Sequence, residues 1–306
     1  MATWLVTGGC GFIGSHLADT LVARGDKVRI LDDLSTGKRE NAPQSAEIVV
    51  GDVADAALVA KTMAGVDGCF HLAAVASVQR GNEDWLGTHR ANQTGTIAVL
   101  DAARGGSVPV VYASSAAVYG DNPNVPLAET AATVPLSAYG ADKLGSELHA
   151  AVATKVHGVP TTGFRFFNVY GPRQDPKSPY SGVIAIFTDL LKQGSEVKVF
   201  GDGLQVRDFV YVGDVVRYLV TAMDNGPKDA AVYNICTGRS TSVLDLAAAI
   251  AEICGVALKV SHQPPRAGDI RTSIGDPADV NKAFGFSADT VLLEGLKATL
   301  DLPQAA

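Results

Sequence analysis

The sequence predicts an α/β protein in which a doubly wound parallel β-sheet is joined to a smaller, mixed α/β C-terminal lobe. Short apolar segments alternate with stretches whose apolar residues recur at helical spacing through the first half of the chain. These segments lack the polar alternation of half-exposed strands, as expected for parallel strands that helices cover on both faces. After about residue 166 the alternation loosens, and Pro172, Pro176 and Pro179 indicate a long loop, which predicts the separate lobe.

The elements of the first half follow from the apolar segments in chain order. Ile13, Leu17 and Leu21 predict a helix after the first strand, and Arg24-Gly25 predicts its end. The predicted strands are residues 3–7, 27–32, 47–51, 68–72, 108–113 and 161–166.

The second half has fewer and shorter periodic segments. Ser242 and Asp245 form a pattern typical of a capping box, which predicts the start of an amphipathic helix. The predicted elements are helices over residues 184–194 and 242–255 and strands over residues 197–200 and 208–212.

Composition limits the classes of function. A chain of 306 residues is long enough for two domains, or for one large domain with an added lobe, and a hydrophobic content of 47% excludes a disordered chain. The formal charge of −7, without a basic block, argues against binding to nucleic acid or to an anionic membrane surface. A few local arginines would still allow an acidic protein to bind a small anionic ligand.

The sequence also bears on compartment and metal content. No run of 18 apolar residues escapes interruption by charge, and the apolar residues 4–6 lead directly into a glycine turn instead of a secretory signal. We therefore expect a cytoplasmic protein without a membrane span. Cys10, Cys69, Cys236 and Cys254 are scattered without a C-x-x-C pair, which predicts no metal site and no disulfide framework.

The first candidate site is a glycine-rich turn between the first strand and the first helix. Gly8, Gly11 and Gly14 give the spacing G-x-x-G-x-x-G, which lets backbone N–H groups approach a pyrophosphate at a helix N-terminus. An acidic residue, Asp32, follows about 20 residues onward at the end of the next strand. Its carboxylate would accept hydrogen bonds from the adenosine ribose and repel a 2′-phosphate, which favours NAD over NADP.

Other strand ends extend this predicted NAD site. Lys38 and Arg39 lie further along the chain and leave NADP as an alternative. Small residues after the fourth strand would let the backbone approach the cofactor, whereas for His71 a buried structural role is the better interpretation. The additional predicted cofactor contacts are Phe12, Ile13, Asp33, Asp52, Val53, Leu72, Ala73, Ala74 and Asn92.

The candidate catalytic residues follow the fifth strand, where open α/β sheets bind their ligands. Ser114 and Ser115 come directly after that apolar segment, and Tyr139 and Lys143 stand four residues apart, on one face of a predicted helix. A lysine ammonium and a cationic nicotinamide would favour the phenolate of a tyrosine, whose pKa is otherwise near 10. Such a tyrosine could remove a hydroxyl proton while a hydride leaves the same carbon, with a serine hydroxyl bound to the oxygen.

With these motifs the sequence resembles the extended short-chain dehydrogenase/reductase family, and within it the nucleotide-sugar 4-epimerases of the UDP-glucose 4-epimerase type. The resemblance covers nearly the whole chain. It is carried by Tyr139 with Lys143 and by residues 7–16, 111–120, 165–174, 201–209 and 265–269.

The resemblance implies a role for each matching position. It implies Ser115 as the catalytic serine, Tyr139 as the base and Lys143 as the electrostatic partner of Tyr139. It also implies a UDP-sugar substrate, held at Asn168 near the sugar, at Arg207 and Arg266 on the diphosphate, and at Asp269 on the uridine ribose. Further substrate contacts implied are Ser77, Gln174, Val183, Val199, Phe200 and Ser273.

The resemblance also implies an organisation for the chain. Residues 1–165 are expected to form an NAD-binding Rossmann domain, to which the chain returns within about residues 195–260. Residues 166–306 are expected to form mainly the nucleotide-sugar lobe. Members of the family commonly form homodimers through a four-helix bundle, and the matching helices lie near residues 85–104 and 139–157.

Several reactions remain open within this family. Dehydratases carry an Asp-Glu pair after the serine and decarboxylases carry a Glu, whereas this chain has Ala116-Ala117, so epimerisation is the leading hypothesis. Hexuronate epimerases usually have Thr at the position of Asn168 and Arg at that of Asp175, so a uronate is less favoured. Ser273 replaces a bulky tyrosine and leaves room for an N-acetyl group, which adds UDP-GlcNAc and UDP-GalNAc to UDP-glucose and UDP-galactose. A catalytically idle NAD-binding sensor is the alternative from another class.

Overall fold

One twisted parallel sheet of seven strands organises the computed structural model, which describes residues 1–174, 182–265 and 270–300. The strands are β1 (Thr3–Thr7), β2 (Lys27–Asp32), β3 (Glu47–Val50), β4 (Gly68–His71), β5 (Val110–Ser115), β6 (Thr161–Phe166), β7 (Asn168–Tyr170), β8 (Val197–Phe200), β9 (Val206–Arg207), β10 (Phe209–Tyr211), β11 (Asp229–Ile235), β12 (Thr241–Ser242), β13 (Val260–Gln263) and β14 (Thr272–Ser273). The helices are α1 (Phe12–Ala23), α2 (Ala56–Met63), α3 (Val78–Glu83), α4 (Trp85–His89), α5 (Gly95–Arg104), α6 (Ala138–His157), α7 (Val183–Lys192), α8 (Val212–Asn225), α9 (Val243–Cys254), α10 (Ala278–Phe284) and α11 (Leu292–Leu300).

The strand order of the large sheet creates a crevice for a ligand. The order is β11-β6-β5-β4-β1-β2-β3, and every neighbouring pair is parallel. The chain winds in one direction from β1 to β3 and in the other direction from β4 to β6, so the switch point lies between β1 and β4. Ligands bind at such a point, outside the carboxyl ends of the strands. The predicted doubly wound Rossmann fold is confirmed.

Helices cover both faces of this sheet. On one face α1 and α8 bury Leu17 and Leu219 against the strands, together with aromatic residues of β6 and α8. On the other face α2, α5 and α6 bury Val59, Val99 and Ala150. Because both faces of the strands are buried, their sequences show continuous apolar runs instead of alternation.

The second half builds small sheets beside the carboxyl edge of the large one. Strand β7 pairs with β10, β8 pairs with β13, and β9 lies between β12 and β14. Helices α7 and α9 pack on β8 through Phe187, Leu246 and Ile250 in a separate apolar cluster. From this lobe β11 returns to the large sheet next to β6, so the lobe is tied at two points to the Rossmann domain. No helix in the described part of the chain has the length and apolar character needed to cross a membrane.

Several element boundaries differ from the predicted ones by one or two residues, and two of these differences have a clear cause. Strand β5 begins and ends two residues later than predicted, because Ser114 and Ser115 pair with Arg165 and Phe166 of β6. The predicted strand over residues 208–212 is shorter, since α8 already begins at Val212. Pairing with a neighbouring strand is a tertiary contact, so the apolar pattern of one segment does not predict where the pairing ends.

Candidate functional site

The glycine turn after β1 has no space for side chains. A Cβ on Gly14 would lie 2.2 Å from Gly8 O, and a Cβ on Gly8, whose φ is +71°, would lie 2.8 Å from Ala73 N. Gly11 N donates to Gly8 O at 3.1 Å, and α1 starts directly after Gly11. The glycine backbone of the turn therefore lies at the N-terminus of α1, the positive end of the helix dipole, beside the switch point. This arrangement fits the pyrophosphate of a dinucleotide.

Asp32 lies against this turn at the end of β2. Its carboxylate accepts hydrogen bonds from Cys10 N and Leu34 N, both at 2.9 Å. Burial raises the pKa of Asp32, and these two hydrogen bonds oppose the rise. A negative group at this position fits a dinucleotide with free ribose hydroxyls. The adjacent Asp33 is exposed and instead accepts from Ser35 N and Oγ.

The other predicted cofactor residues surround the same crevice. After β3, Asp52 accepts from Arg90 Nη2 at 2.8 Å, and Val53 packs against Gly95. After β4, the loop that contains Leu72, Ala73 and Ala74 passes beside Gly8. In the first turn of α1, Phe12 and Ile13 follow the glycine turn and are half-buried.

The loop after β4 is held by two buried polar side chains. Thr7 Oγ1 accepts from Leu72 N and Ala73 N, both at 3.2 Å. The amide of Asn92 accepts from Val75 N at 2.8 Å and donates to Val75 O, so Asn92 fixes the loop that forms one wall of the crevice. Thr7 was not among the residues predicted for this site, although a polar residue at the end of an apolar strand is a signal for such a role.

His71 is part of the buried scaffold. Its ring nitrogens lie 2.8 Å from Thr7 Oγ1 and 3.0 Å from Thr96 Oγ1. Burial lowers the pKa of His71 to about 3, with a further contribution from the charge of Lys143. The imidazole is therefore neutral at physiological pH.

The three predicted catalytic residues come together at the carboxyl edge of β5. Ser115 is the last residue of the strand, and Tyr139 lies in the first turn of α6 and forms a hydrogen bond with Ser115. Lys143, one turn further, places Nζ 5.9 Å from the centroid of the Tyr139 ring and donates to Ala113 O at 2.8 Å. Helix α6 thus brings a phenol and an ammonium to the serine hydroxyl at the end of β5.

Burial shapes the electrostatics of this group. Lys143 is only 3% exposed, and its burial lowers its pKa to about 8, which the nearby Asp142 opposes. Burial also raises the pKa of Tyr139, and the hydrogen bond with Ser115 opposes that rise. The phenol is therefore protonated in the isolated protein, and its deprotonation requires positive charge close to it.

The residues that follow Ser115 provide no acid or base. Ala116 and Ala117 begin a short 3₁₀ turn that ends at Tyr119, and Ser115 Oγ accepts from Ala117 N at 3.1 Å. Methyl side chains at these two positions cannot transfer protons. The chemistry available at this point is therefore that of Ser115, Tyr139 and Lys143.

The C-terminal lobe positions several predicted substrate residues. Arg207 on β9 is the direct neighbour of Ser273 on β14 in the parallel pairing. Asp208, next to Arg207, is fully buried and accepts from Thr237 N at 2.8 Å and Gly238 N at 2.9 Å. These bonds fix the backbone from which Arg207 projects.

Other predicted substrate residues lie around this lobe. Asn168 N donates to Asp208 O at 3.0 Å. Phe200 lines a cavity of about 670 Å³ together with Gln205 and Pro265, whereas Val199 is buried in β8. Asp175, Arg266 and Asp269 lie outside the described residues.

The remaining predicted substrate residues are more scattered. Ser77 Oγ accepts from Arg80 N at 3.1 Å and caps α3, a helix that packs on α6. Gln174 is half-buried, with its Oε1 unpaired among the described residues, and Val183 is the first residue of α7. These three side chains come from separate parts of the chain, and no hydrogen bond in the described part joins one of them to another.

A comparison with known proteins bears on the family. The chain is 38% identical to the UDP-glucose 4-epimerase of Mycolicibacterium smegmatis, over 97% of each chain. The structure superposes with a TM-score of 0.94 on the Thermotoga maritima UDP-glucose 4-epimerase with UDP-glucose, at 38% identity, covering 98% of this chain and 97% of that chain. It superposes with a TM-score of 0.93 on the UDP-N-acetylglucosamine 4-epimerase of Methanobrevibacter ruminantium in complex with UDP-N-acetylmuramic acid, at 34% identity over 98% and 97% of the chains.

A family model gives the same result. Residues 4–236, which contain the glycine turn, Asp32 and the three candidate catalytic residues, match the model of the NAD dependent epimerase/dehydratase family. This match confirms the predicted resemblance and confirms NAD as the predicted cofactor. From its sequence, its fold and the geometry of its crevice, the chain belongs to the NAD dependent epimerase/dehydratase family.

Proposed function

We propose that the protein is a UDP-sugar 4-epimerase, an isomerase that interconverts UDP-glucose and UDP-galactose. One observation carries the proposal. Ser115, Tyr139 and Lys143 meet beside the NAD crevice, and the two residues that follow Ser115 are alanines. The names of the relatives in Mycolicibacterium smegmatis and Thermotoga maritima support the same activity.

Tyr139, Ser115 and Lys143 each have a separate role in the proposed proton transfer. Tyr139 removes the proton from the C4 hydroxyl of the sugar, and Ser115 donates a hydrogen bond to the same oxygen. Lys143 favours the phenolate through its charge. NAD, held at the glycine turn and Asp32, would supply the hydride acceptor and donor for C4, with return to the other face of the 4-keto sugar. Tyr139 then gives its proton back to the C4 oxygen, which completes the inversion.

The alanines after Ser115 favour epimerisation over the alternative reactions of the family. A 4,6-elimination needs an acid and a base near C5 and C6, and the resemblance places those groups where Ala116 and Ala117 stand. A decarboxylase of the family would carry a glutamate there. A 4-keto sugar in this site therefore has return of the hydride as its available outcome.

Residues of the C-terminal lobe support a nucleoside diphosphate sugar as the substrate, with space in the pocket for a substituent at C2 of the sugar. Arg207 provides a local positive charge for the diphosphate in an otherwise acidic protein. Ser273 lies beside Arg207 and has a small side chain, which supports acceptance of UDP-GlcNAc and UDP-GalNAc. The relative from Methanobrevibacter ruminantium, a UDP-N-acetylglucosamine 4-epimerase, adds to this support. By resemblance, Arg266 and Asp269 complete the nucleotide site.

A direct assay tests the proposal. Purified protein is incubated separately with UDP-glucose, UDP-galactose, UDP-GlcNAc and UDP-GalNAc, and the C4 epimers are separated by chromatography. We expect UDP-glucose and UDP-galactose to interconvert. The Tyr139→Phe variant should lose at least about 100-fold in kcat, because it lacks the proton-transfer group.

Other outcomes of this assay contradict the proposal. A 4-keto-6-deoxy product would indicate a dehydratase, and loss of CO₂ from a UDP-uronate would indicate a decarboxylase. Conversion of a UDP-uronate alone would indicate a uronate epimerase. NAD binding without conversion of any of these sugars would indicate a sensor.

We further propose that two copies associate through α5 and α6. Leu148, Val152 and Val156 recur every four residues on α6 and are 63%, 50% and 69% exposed. Ile97 of α5 is 40% exposed and lines a shallow depression together with Val152. An exposed apolar stripe of this kind is typical of an interface between subunits. We refer to Ile97, Leu148, Val152 and Val156 as the α5–α6 face.

The assignment of the two domains is likewise a proposal. Residues 1–165, with the returning β11, hold NAD, and most of residues 166–306 hold the nucleotide sugar. The location of the glycine turn in the first part and of Arg207 in the second supports this division. The cytoplasmic location expected from the sequence stays a prediction.

A further inference from the structure

A buried polar cluster lies behind the candidate catalytic residues. The carboxylate of Glu147 accepts a hydrogen bond from Ser114 Oγ at 2.5 Å and two from Arg165, from Nε at 2.9 Å and from Nη2 at 2.8 Å. Each of the three residues is less than 10% exposed. The proton-transfer mechanism proposed above uses none of them.

Glu147 extends a regular pattern on α6. Tyr139, Lys143 and Glu147 are four residues apart, so they lie on one face of the helix. Lys143 binds Ala113 O of β5, Glu147 binds the side chain of Ser114, and Tyr139 bonds to Ser115. Three successive residues at the end of β5 thus each bind a side chain from one of three successive turns of α6.

Arg165 connects the same cluster to the segment after Ser115. Its Nη1 donates to Tyr119 OH at 2.8 Å and to Glu129 O at 2.9 Å. Tyr119 OH in turn donates to Asn234 Oδ1 of β11 at 2.7 Å. The pair formed by Glu147 and Arg165 therefore joins α6 to β5, β6 and β11 at the carboxyl edge of the sheet.

We propose that Ser114 and Glu147 are positioning residues for the epimerase reaction. The bond between them fixes α6 along β5 and so sets the distance from Ser115 to Tyr139 and Lys143. This inference rests on the proposed function, because it concerns the same proton transfer. Displacing a reacting group by about 1 Å can cost up to about 100-fold in rate.

Ser114→Ala tests the inference, because it removes the bond to Glu147 and leaves the ion pair with Arg165 intact. Ser146→Ala is a matched control on the same helix. Ser146 is also buried, and its hydroxyl donates to Asp142 O at 2.9 Å and lies 3.1 Å from Thr96 Oγ1, with no bond to β5. Each variant is assayed for kcat, KM, bound NAD and thermal midpoint.

We expect Ser114→Ala to lower kcat about tenfold, with KM for the UDP-sugar within about twofold of wild type and full NAD content. Ser146→Ala should lower the thermal midpoint similarly and keep kcat within about twofold. Equal kcat values in the two variants would overturn the inference, since the cluster would then act on stability alone. A wild-type protein that epimerises no UDP-sugar would instead overturn the proposed function on which the inference rests.

Discussion

Lys143 combines two opposite effects in one side chain. Its ammonium is nearly fully buried and, within the described part of the chain, donates one hydrogen bond, to Ala113 O. Burying a cation with so little compensation costs stability, which the pKa of about 8 reflects. The same charge lies beside the Tyr139 ring, where the proposed reaction needs it. We infer that this position favours catalysis at the expense of stability.

Lys143→Met separates the two effects. Because the pKa of Lys143 is lowered in the folded protein, the unfolded chain binds more protons between pH 8 and about pH 10.4. On its own, Lys143 therefore raises the free energy of unfolding as the pH rises through this window, by roughly 3 kcal/mol at most. The buried thiols of Cys10, Cys69 and Cys236, whose pKa values burial raises, act in the opposite direction in both proteins. We expect the variant to lack this increase, to be at least as stable as wild type at pH 7, and to be inactive.

Denaturation by urea at pH 7 and at pH 9.5 measures this difference. Lys155→Met replaces an exposed lysine of the same helix and should keep the wild-type trend with pH. The explanation would be wrong if the free energy of unfolding changed by the same amount between the two pH values in Lys143→Met and in the wild type.

The glycine turn and α1 act as one element. The first helical turn packs so closely on Gly8 that position 14 has no space for a methyl group, although its backbone is ordinary helix. The first backbone N–H groups of α1 have no partner within the helix, and the close packing sets this end of the helix beside the crevice. Cofactor binding therefore depends on the contact between strand end and helix start as much as on any single side chain.

Gly14→Ala tests this dependence. Its Cβ would meet the backbone oxygen of Gly8, so the turn or the helix must shift. We expect the affinity for NAD to fall at least about tenfold, because a lost hydrogen bond to a phosphate is worth about 1.5–3 kcal/mol. The measurement is the NAD bound per chain after dialysis.

Gly105→Ala is the matched control for this variant. At the end of α5 its Cβ would have no neighbour nearer than 3.8 Å, and its φ is −63°. It should bind NAD like the wild type. Normal NAD content in Gly14→Ala would show that the turn can rearrange without loss of the site.

At the scale of the whole molecule, α5 and α6 expose an apolar stripe to solvent. Helix α6 thus has two distinct faces, since Tyr139 and Lys143 lie at the crevice and the α5–α6 face is exposed to solvent. If two copies cover this face, subunit association also stabilises the helix that bears the catalytic residues.

Val152→Glu tests the proposed dimer. A buried carboxylate at the centre of the α5–α6 face would be unpaired. By light scattering at micromolar concentration we therefore expect a dimer for the wild type and a monomer for the variant. Val291→Glu is the control, because Val291 is 49% exposed, close to the 50% of Val152, and lies outside that face. A wild-type monomer, or the same oligomeric state in the wild type and Val152→Glu, would contradict the proposal.

Local patterns in the sequence determined the doubly wound sheet, the glycine turn, the position of Asp32 at the end of the second strand, and the shared helical face of Tyr139 and Lys143. Each of these depends on spacing within one short segment, where chain geometry alone fixes which groups meet. The roles of the predicted substrate residues remain predictions, since their side chains come from distant segments. Ser114, Glu147 and Arg165 stand 33 and 18 residues apart along the chain, and only the tertiary structure brings them together. The physical reason is that a buried carboxylate must find its hydrogen-bond partners wherever the packed strands place them, and sequence spacing does not encode that position.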